Sequence, residues 1–170
     1  AARLVFVLLL AGLAWRVLSL GMADAKTRSN PEQALQWRPL HSSALFLLAE
    51  QQAKNPGMAG EAKKNALAAL RAYPFEGRAY RVLGQLADAD KKTELAFSLY
   101  QKAVRYSPRD LESHQWLLNH SLQTENADAA IYHLDRLLRM QIDLLPPLLP
   151  IIGGLAALPQ AQEALINTLI

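Results

Sequence analysis

The 170-residue sequence contains no cysteine, which excludes disulfide bonds, thiolate catalysis and cysteine-based zinc or iron–sulfur sites. Charged residues make up only 19% of the chain, below the usual quarter, and no segment alternates apolar and polar residues as a strand would. From Asp24 onward there are 16 basic and 15 acidic residues, so the excess of positive charge typical of nucleic-acid-binding proteins is missing. The 51% hydrophobic content is enough for a folded core. We therefore expect a folded helical protein that binds no nucleic acid.

An apolar run occupies residues 4–22, and its only charged residue is Arg16. A helix of about 20 residues spans roughly 30 Å, the thickness of the hydrocarbon core of a bilayer. The long stem of Arg16 can carry its guanidinium to the headgroups, and the adjacent Trp15 is typical of a membrane interface. The run predicts a transmembrane anchor over residues 1–23.

Two other interpretations of this segment stay open. A secretory signal would use Arg3 as its charged start and Ala23-Asp24-Ala25 as its cleavage site, and cleavage would release a soluble binding module. The segment would otherwise be a buried core helix. The side of the membrane is also open, because Lys26, Arg28 and Arg38 after the span favour a cytoplasmic domain.

The remainder of the chain has the residue pattern of helices separated by turns. Residues 24–39 are predicted to form a polar linker and a short helix that opens at Pro31 and stops before Pro39. For the apolar tail we expect a shortened hairpin of residues 148–158 and 160–170, since its prolines and glycines suit a spanning helix poorly. The helices predicted between these two regions are Leu40–Lys54, Ala59–Ala72, Glu76–Ala87, Lys92–Tyr106, Asp110–Gln123 and Ala127–Met140.

Small residues and prolines recur at intervals of 34 in this helical part, as at Ala62, Ala96 and Ala130. In that register one stretch carries an ordered set of residues: Tyr80, Leu83, Gly84, Ala87, Ala96, Tyr100, Ala103 and Pro108. This set resembles the tetratricopeptide repeat, and only Ala87 departs from the family pattern, which has tyrosine there. The flanking stretches resemble it more loosely. Their departures are Glu50 for a glycine, and His114, Leu118 and Ile142 for an aromatic residue, a glycine and a proline.

The resemblance implies an all-α solenoid with three repeats over residues 40–142 and a partial fourth over 143–170. Gly84 would allow two helices to cross closely, so we expect Gly84→Leu to destabilise strongly and Gly60→Leu, in a loop, to be mild. The first helix of each repeat would line a concave, mildly basic groove suited to an acidic protein segment. Leu47 stands where the carboxylate clamp of chaperone-binding members has lysine. The implied groove residues are Gln51, Lys54, Arg78, Arg81, Gln85, Gln115 and Asn119.

Residues that could carry catalysis or bind a metal are few. The four histidines, His41, His114, His120 and His133, form no His-x-x-x-His or Glu-x-x-His pair, and no nucleophile elbow or phosphate-binding loop is present. We expect no catalytic residue, no metal site and no cofactor.

These features predict a non-catalytic, single-pass scaffold whose partners are other protein subunits of a membrane or cell-envelope assembly. The anchor and the Asn-Pro-Glu-Gln-Ala-Leu entry loosely resemble bacterial inner-membrane proteins of envelope or exopolysaccharide assembly, which favours a periplasmic domain. The repeats are basic over residues 63–109 and acidic over residues 110–143, which would also allow head-to-tail association of copies. The alternatives are the soluble module and an accessory domain of an envelope enzyme.

Overall fold

The computed structural model describes residues 2–157 and residue 162. Helices are the regular elements of this part of the chain, and none of the described residues lies in a strand, so the all-α prediction is confirmed. Short 3-10 turns at Pro56–Met58 and Ile142–Leu144 lead into two of the helices. The helices are α1 (Ala2–Thr27), α2 (Pro31–Trp37), α3 (Ser42–Ala53), α4 (Ala59–Ala72), α5 (Gly77–Ala89), α6 (Thr93–Tyr106), α7 (Leu111–Gln123), α8 (Ala127–Met140) and α9 (Leu145–Ala156).

The helix boundaries recur with a period of 34 residues. Helices α4, α6 and α8 begin at residues 59, 93 and 127 and end at residues 72, 106 and 140, while α5, α7 and α9 begin at residues 77, 111 and 145. The turns after α5 and α7 each contain one residue with positive φ, Lys91 (60°) and Glu125 (55°), also 34 residues apart. From α3 to α8, each boundary lies within two residues of the predicted one.

Contacts divide the chain into two compact units, residues 1–82 and residues 83–170, and the division falls within α5. In the first unit, α3 and α4 form a hairpin in which Asn65 Nδ2 donates a hydrogen bond to Gln52 Oε1 (2.8 Å). Small side chains allow the two helices to approach closely. The buried alanines of this interface are Ala44 and Ala49 of α3 and Ala62, Ala66 and Ala69 of α4.

The second unit has its core between α6, α7, α8 and α9. Tyr100 of α6 is buried, and its ring faces Gly84, where an added Cβ atom would lie only 3.1 Å from ring carbons. A second cluster joins Leu118 of α7, Leu134 of α8 and Leu155 of α9. The first helix predicted for the tail, residues 148–158, corresponds to α9 (Leu145–Ala156), whereas the second, residues 160–170, lies outside the described residues except for Gln162.

Helix α1 extends further than the apolar run that predicted it. It continues to Thr27, so the prediction that residues 24–27 belong to the linker is wrong and these residues are helical. The last turn of α1 is stabilised locally, because Thr27 Oγ1 donates a hydrogen bond to the carbonyl of Ala23 (2.7 Å). The next helix begins after Asn30, whose side chain caps α2 by accepting a hydrogen bond from the amide of Gln33 (3.0 Å). Within α1, residues 5–27 are long and apolar enough to cross a membrane.

Candidate functional site

The seven predicted groove residues are divided between the two units. In the first unit, Gln51 is exposed on α3, Lys54 is exposed directly after α3, and Arg78 and Arg81 belong to α5. In the second unit, the predicted residues are Gln85 of α5 and Gln115 and Asn119 of α7.

Arg81 is not a solvent-facing residue. It is only 5% exposed, and its guanidinium forms an ion pair and hydrogen bond with the carboxylate of Glu50 on α3. A half-buried carboxylate beside a buried guanidinium satisfies charge that would be costly to bury alone. Arg81 therefore joins α5 to α3 within the first unit, and its part in partner binding stays a prediction.

Arg78 lies one helical turn earlier and is partly exposed. Its Nε donates to Glu76 Oε1 (2.9 Å), and its guanidinium carbon lies 4.0 Å from the centre of the Phe46 ring. Glu76 itself is buried. Two arginines thus stand beside two carboxylates, so this part of the predicted basic groove is close to neutral.

The predicted residues of the second unit are polar and more accessible. Gln85 is half-buried and donates through Nε2 to Glu112 Oε2 of α7 (3.1 Å), whereas Gln115 and Asn119 are exposed on α7. Residues 115 and 119 are four apart on one helix and so share a face. Exposed amides on one face can donate to and accept from a peptide backbone.

A second group of polar side chains lies in the second unit between α7 and α8. His114 and His133 are both buried, and their Nδ1 atoms are 2.9 Å apart. The Nε2 atom of His114 is 3.1 Å from the carbonyl oxygen of Pro108, so Nε2 carries the proton that is donated to that oxygen. The Nδ1 atom of His114 is then an acceptor, and Nδ1–H of His133 donates to it.

Burial lowers the pKa of both histidines. For His114 desolvation outweighs the opposing effect of the hydrogen bond to Pro108. For His133 desolvation, followed by repulsion from His114, lowers the pKa to about 4. Both rings are neutral at neutral pH, and among the described residues no cluster of three histidine or acidic side chains could hold a metal ion. The pair is a buried structural hydrogen bond.

The sequence did not connect these two histidines, because neither belongs to a His-x-x-x-His or Glu-x-x-His pair. The signal that could have joined them is the 34-residue register itself. His114 and His133 occupy the positions of Tyr80 and Leu99 one repeat later. In a repeat protein, equivalent positions are expected to take equivalent places in successive helix pairs.

The chain was also compared with known proteins. It matches no protein-family model, and no curated protein resembles it in sequence at a significant level. The likeness to tetratricopeptide repeats therefore rests on the residues quoted above and stays a prediction.

Proposed function

We propose that this chain is a non-catalytic scaffold, anchored in a bacterial inner membrane by α1, whose tetratricopeptide-like helix pairs bind another protein of an envelope assembly. The observation that carries this proposal is the recurrence of helix boundaries every 34 residues. Helix pairs of equal length at a fixed interval are typical of repeat proteins, which bind through extended surfaces formed by equivalent helices.

The contacts of α1 favour an anchor over a cleaved secretory signal. Ala23 is fully buried, and Asp24 Oδ1 accepts a hydrogen bond from Nε2 of His41 (2.7 Å). Cleavage after Ala25 would remove both residues from the first unit. A signal peptidase would also have to unwind the end of α1 in order to bind residues 23–25 in its active site.

The anchor can be tested by alkaline extraction of membranes from cells that express the full chain. We expect the protein to stay in the membrane pellet and to keep its α1 segment. Recovery in the soluble fraction with Lys26 as the first residue would show that the signal interpretation is right. Protease treatment of intact inner-membrane vesicles would then decide on which side the helix pairs lie.

The binding face is best tested on α7, because Arg81 cannot be reversed without disturbing the fold. A glutamate at position 81 would set two carboxylates side by side, so charge reversal at residues 78 and 81 would perturb folding as well as binding. A photo-crosslinking amino acid at position 115 or 119 avoids this difficulty, since both positions are exposed. The matched control is Gln101, an exposed residue of α6, which is the second helix of the pair α5–α6.

We expect a discrete crosslinked product in envelope membranes from positions 115 and 119 and none from position 101. The same product from all three positions would contradict a dedicated face on α7. A product from position 101 alone would indicate that the partner binds the second helices of the pairs, such as α6.

A further inference from the structure

Helices α1 and α2 run in opposite directions. Only residues 28–30 connect them, yet the ring of Trp37 at the end of α2 lies 6.1 Å from the ring of Trp15, twelve residues before the end of α1. Buried Ala23 of α1 and buried Ala34 of α2 are part of the same unit. The end of α2 therefore points back towards the apolar part of α1.

The polar side chains of α2 limit how far α1 can enter a bilayer. Glu32 and Gln36 are exposed, and neither can lie in hydrocarbon without a large desolvation cost. In this arrangement the lipid boundary along α1 falls near Trp15 and Arg16, where the end of α2 meets α1, so the hydrocarbon holds residues 2–15 and not the whole predicted anchor over residues 1–23. Aromatic and arginine side chains are the ones that prefer this depth.

The turn that follows α2 also presents apolar surface. We name residues 37–40 the α2–α3 turn. Leu40 is 66% exposed, Trp37 is 37% exposed, and Arg38 is exposed between them. A leucine exposed to this extent beside a tryptophan and an arginine has the composition of a membrane-interface contact.

The distribution of charge agrees with this placement. Residues 1–40 contain five basic and two acidic side chains, whereas residues 41–170 contain thirteen of each. All of the net charge of +3 therefore belongs to the region that includes α1, α2 and the α2–α3 turn. Basic side chains beside a membrane-inserted segment bind lipid phosphates.

We infer that the α2–α3 turn is a second membrane contact, in which Trp37 and Leu40 enter the headgroup region of the leaflet that α1 enters, and Arg38 binds lipid phosphate. This inference rests on the proposed anchoring through α1. The contact is held in place from the protein side, because His41 directly after the turn is bonded to Asp24 of α1 and, through Nδ1, accepts from the amide of Ala44 (3.2 Å).

The test uses tryptophan fluorescence of the full chain in vesicles of equimolar phosphatidylcholine and phosphatidylglycerol. The sequence contains three tryptophans, Trp15, Trp37 and Trp116. Trp15→Phe with Trp116→Phe leaves Trp37 as the only fluorophore, and Trp15→Phe with Trp37→Phe leaves Trp116 of α7 as the control. Lipids brominated at different depths report which of these rings contacts lipid.

We expect lipids brominated near the carbonyl groups to quench Trp37 strongly and to leave Trp116 unchanged. Leu40→Glu should reduce the quenching of Trp37, whereas Leu95→Glu, at a leucine of α6 that is 49% exposed, should not. If the chain floats with the vesicles but Trp37 is quenched no more than Trp116, the second contact is overturned while the anchor stands. Greatest quenching by bromines at the bilayer centre would overturn the headgroup placement. If the chain does not float with the vesicles, the anchor fails and this contact fails with it.

Discussion

Acidification should destabilise the second unit through its buried histidine pair. In the unfolded chain His133 takes up a proton near its ordinary pKa of 6.5, whereas in the folded chain its pKa is lowered to about 4. Between these values the unfolded state binds more protons, so the free energy of unfolding falls by about 1.4 kcal/mol per pH unit as the pH decreases. The stabilisation is fully present above pH 6.5 and declines below it.

The loss can be worked out for a defined interval. From pH 7.5 to pH 5.0, the titration of His133 alone removes about 2 kcal/mol of stability. His114 acts in the same direction, since its pKa is lowered as well. Because the two rings share one hydrogen bond, they titrate as a coupled pair.

Urea denaturation of the full chain in nonionic detergent, followed by circular dichroism at the two pH values, measures this loss. The matched control is His114→Tyr with His133→Leu, which introduces the residues found 34 positions earlier and removes both titrating groups. We expect the control to lose clearly less stability than the wild type over the same interval. Equal losses in the two proteins would refute the argument from the histidine pair.

Two further predictions concern packing and the buried ion pair. Gly84→Leu should destabilise by about 1–3 kcal/mol, because the added side chain would meet the buried ring of Tyr100, whereas Gly60→Leu, where a Cβ meets nothing within 4 Å, should stay within about 0.5 kcal/mol of the wild type. Equal melting temperatures for the two variants would contradict the close approach at residue 84. Arg81→Met should cost about 2–4 kcal/mol because it strips Glu50 of its ion-pair partner, and adding Glu50→Leu should recover most of that loss in urea denaturation. No recovery in the double variant would show that Arg81 acts through other contacts.

The helices from α3 to α8 could be predicted closely because local signals mark their ends. Asn126 and Asp110 accept hydrogen bonds from the first turns of α8 and α7, as their side chains are suited to do, and the 34-residue spacing places the remaining ends. The expectation that Gly60 lies in a loop was wrong, since it lies in the first turn of α4, within the range predicted for that helix. Glycine is common in loops, but one exposed glycine near a helix start changes little.

The candidate site was harder to predict because its contacts are distant in sequence. Arg81 lies in the interior and pairs with Glu50, which is 31 residues earlier in the sequence. The repeat pattern identified Glu50 only as a departure from the glycine of the family. The pairing of His114 with His133 likewise needs two helices placed against each other. Local propensity places helices, whereas the partners of a long polar side chain depend on tertiary packing.

The direct connection between α1 and the other helices of the first unit has a consequence for how an anchored copy would meet its partners. A flexible linker of sixteen residues, as long as the predicted segment 24–39, would have a root-mean-square end-to-end distance of about 20–24 Å, and the attached domain could move over that distance. Here those residues belong mostly to α1 and α2 and are tied down by the bond between Asp24 and His41. An anchored copy would keep its first unit at one height and one tilt above the lipid. Its search for a partner would then be two-dimensional, through lateral diffusion in a thin layer, and would favour partners that present their binding segment at that same height.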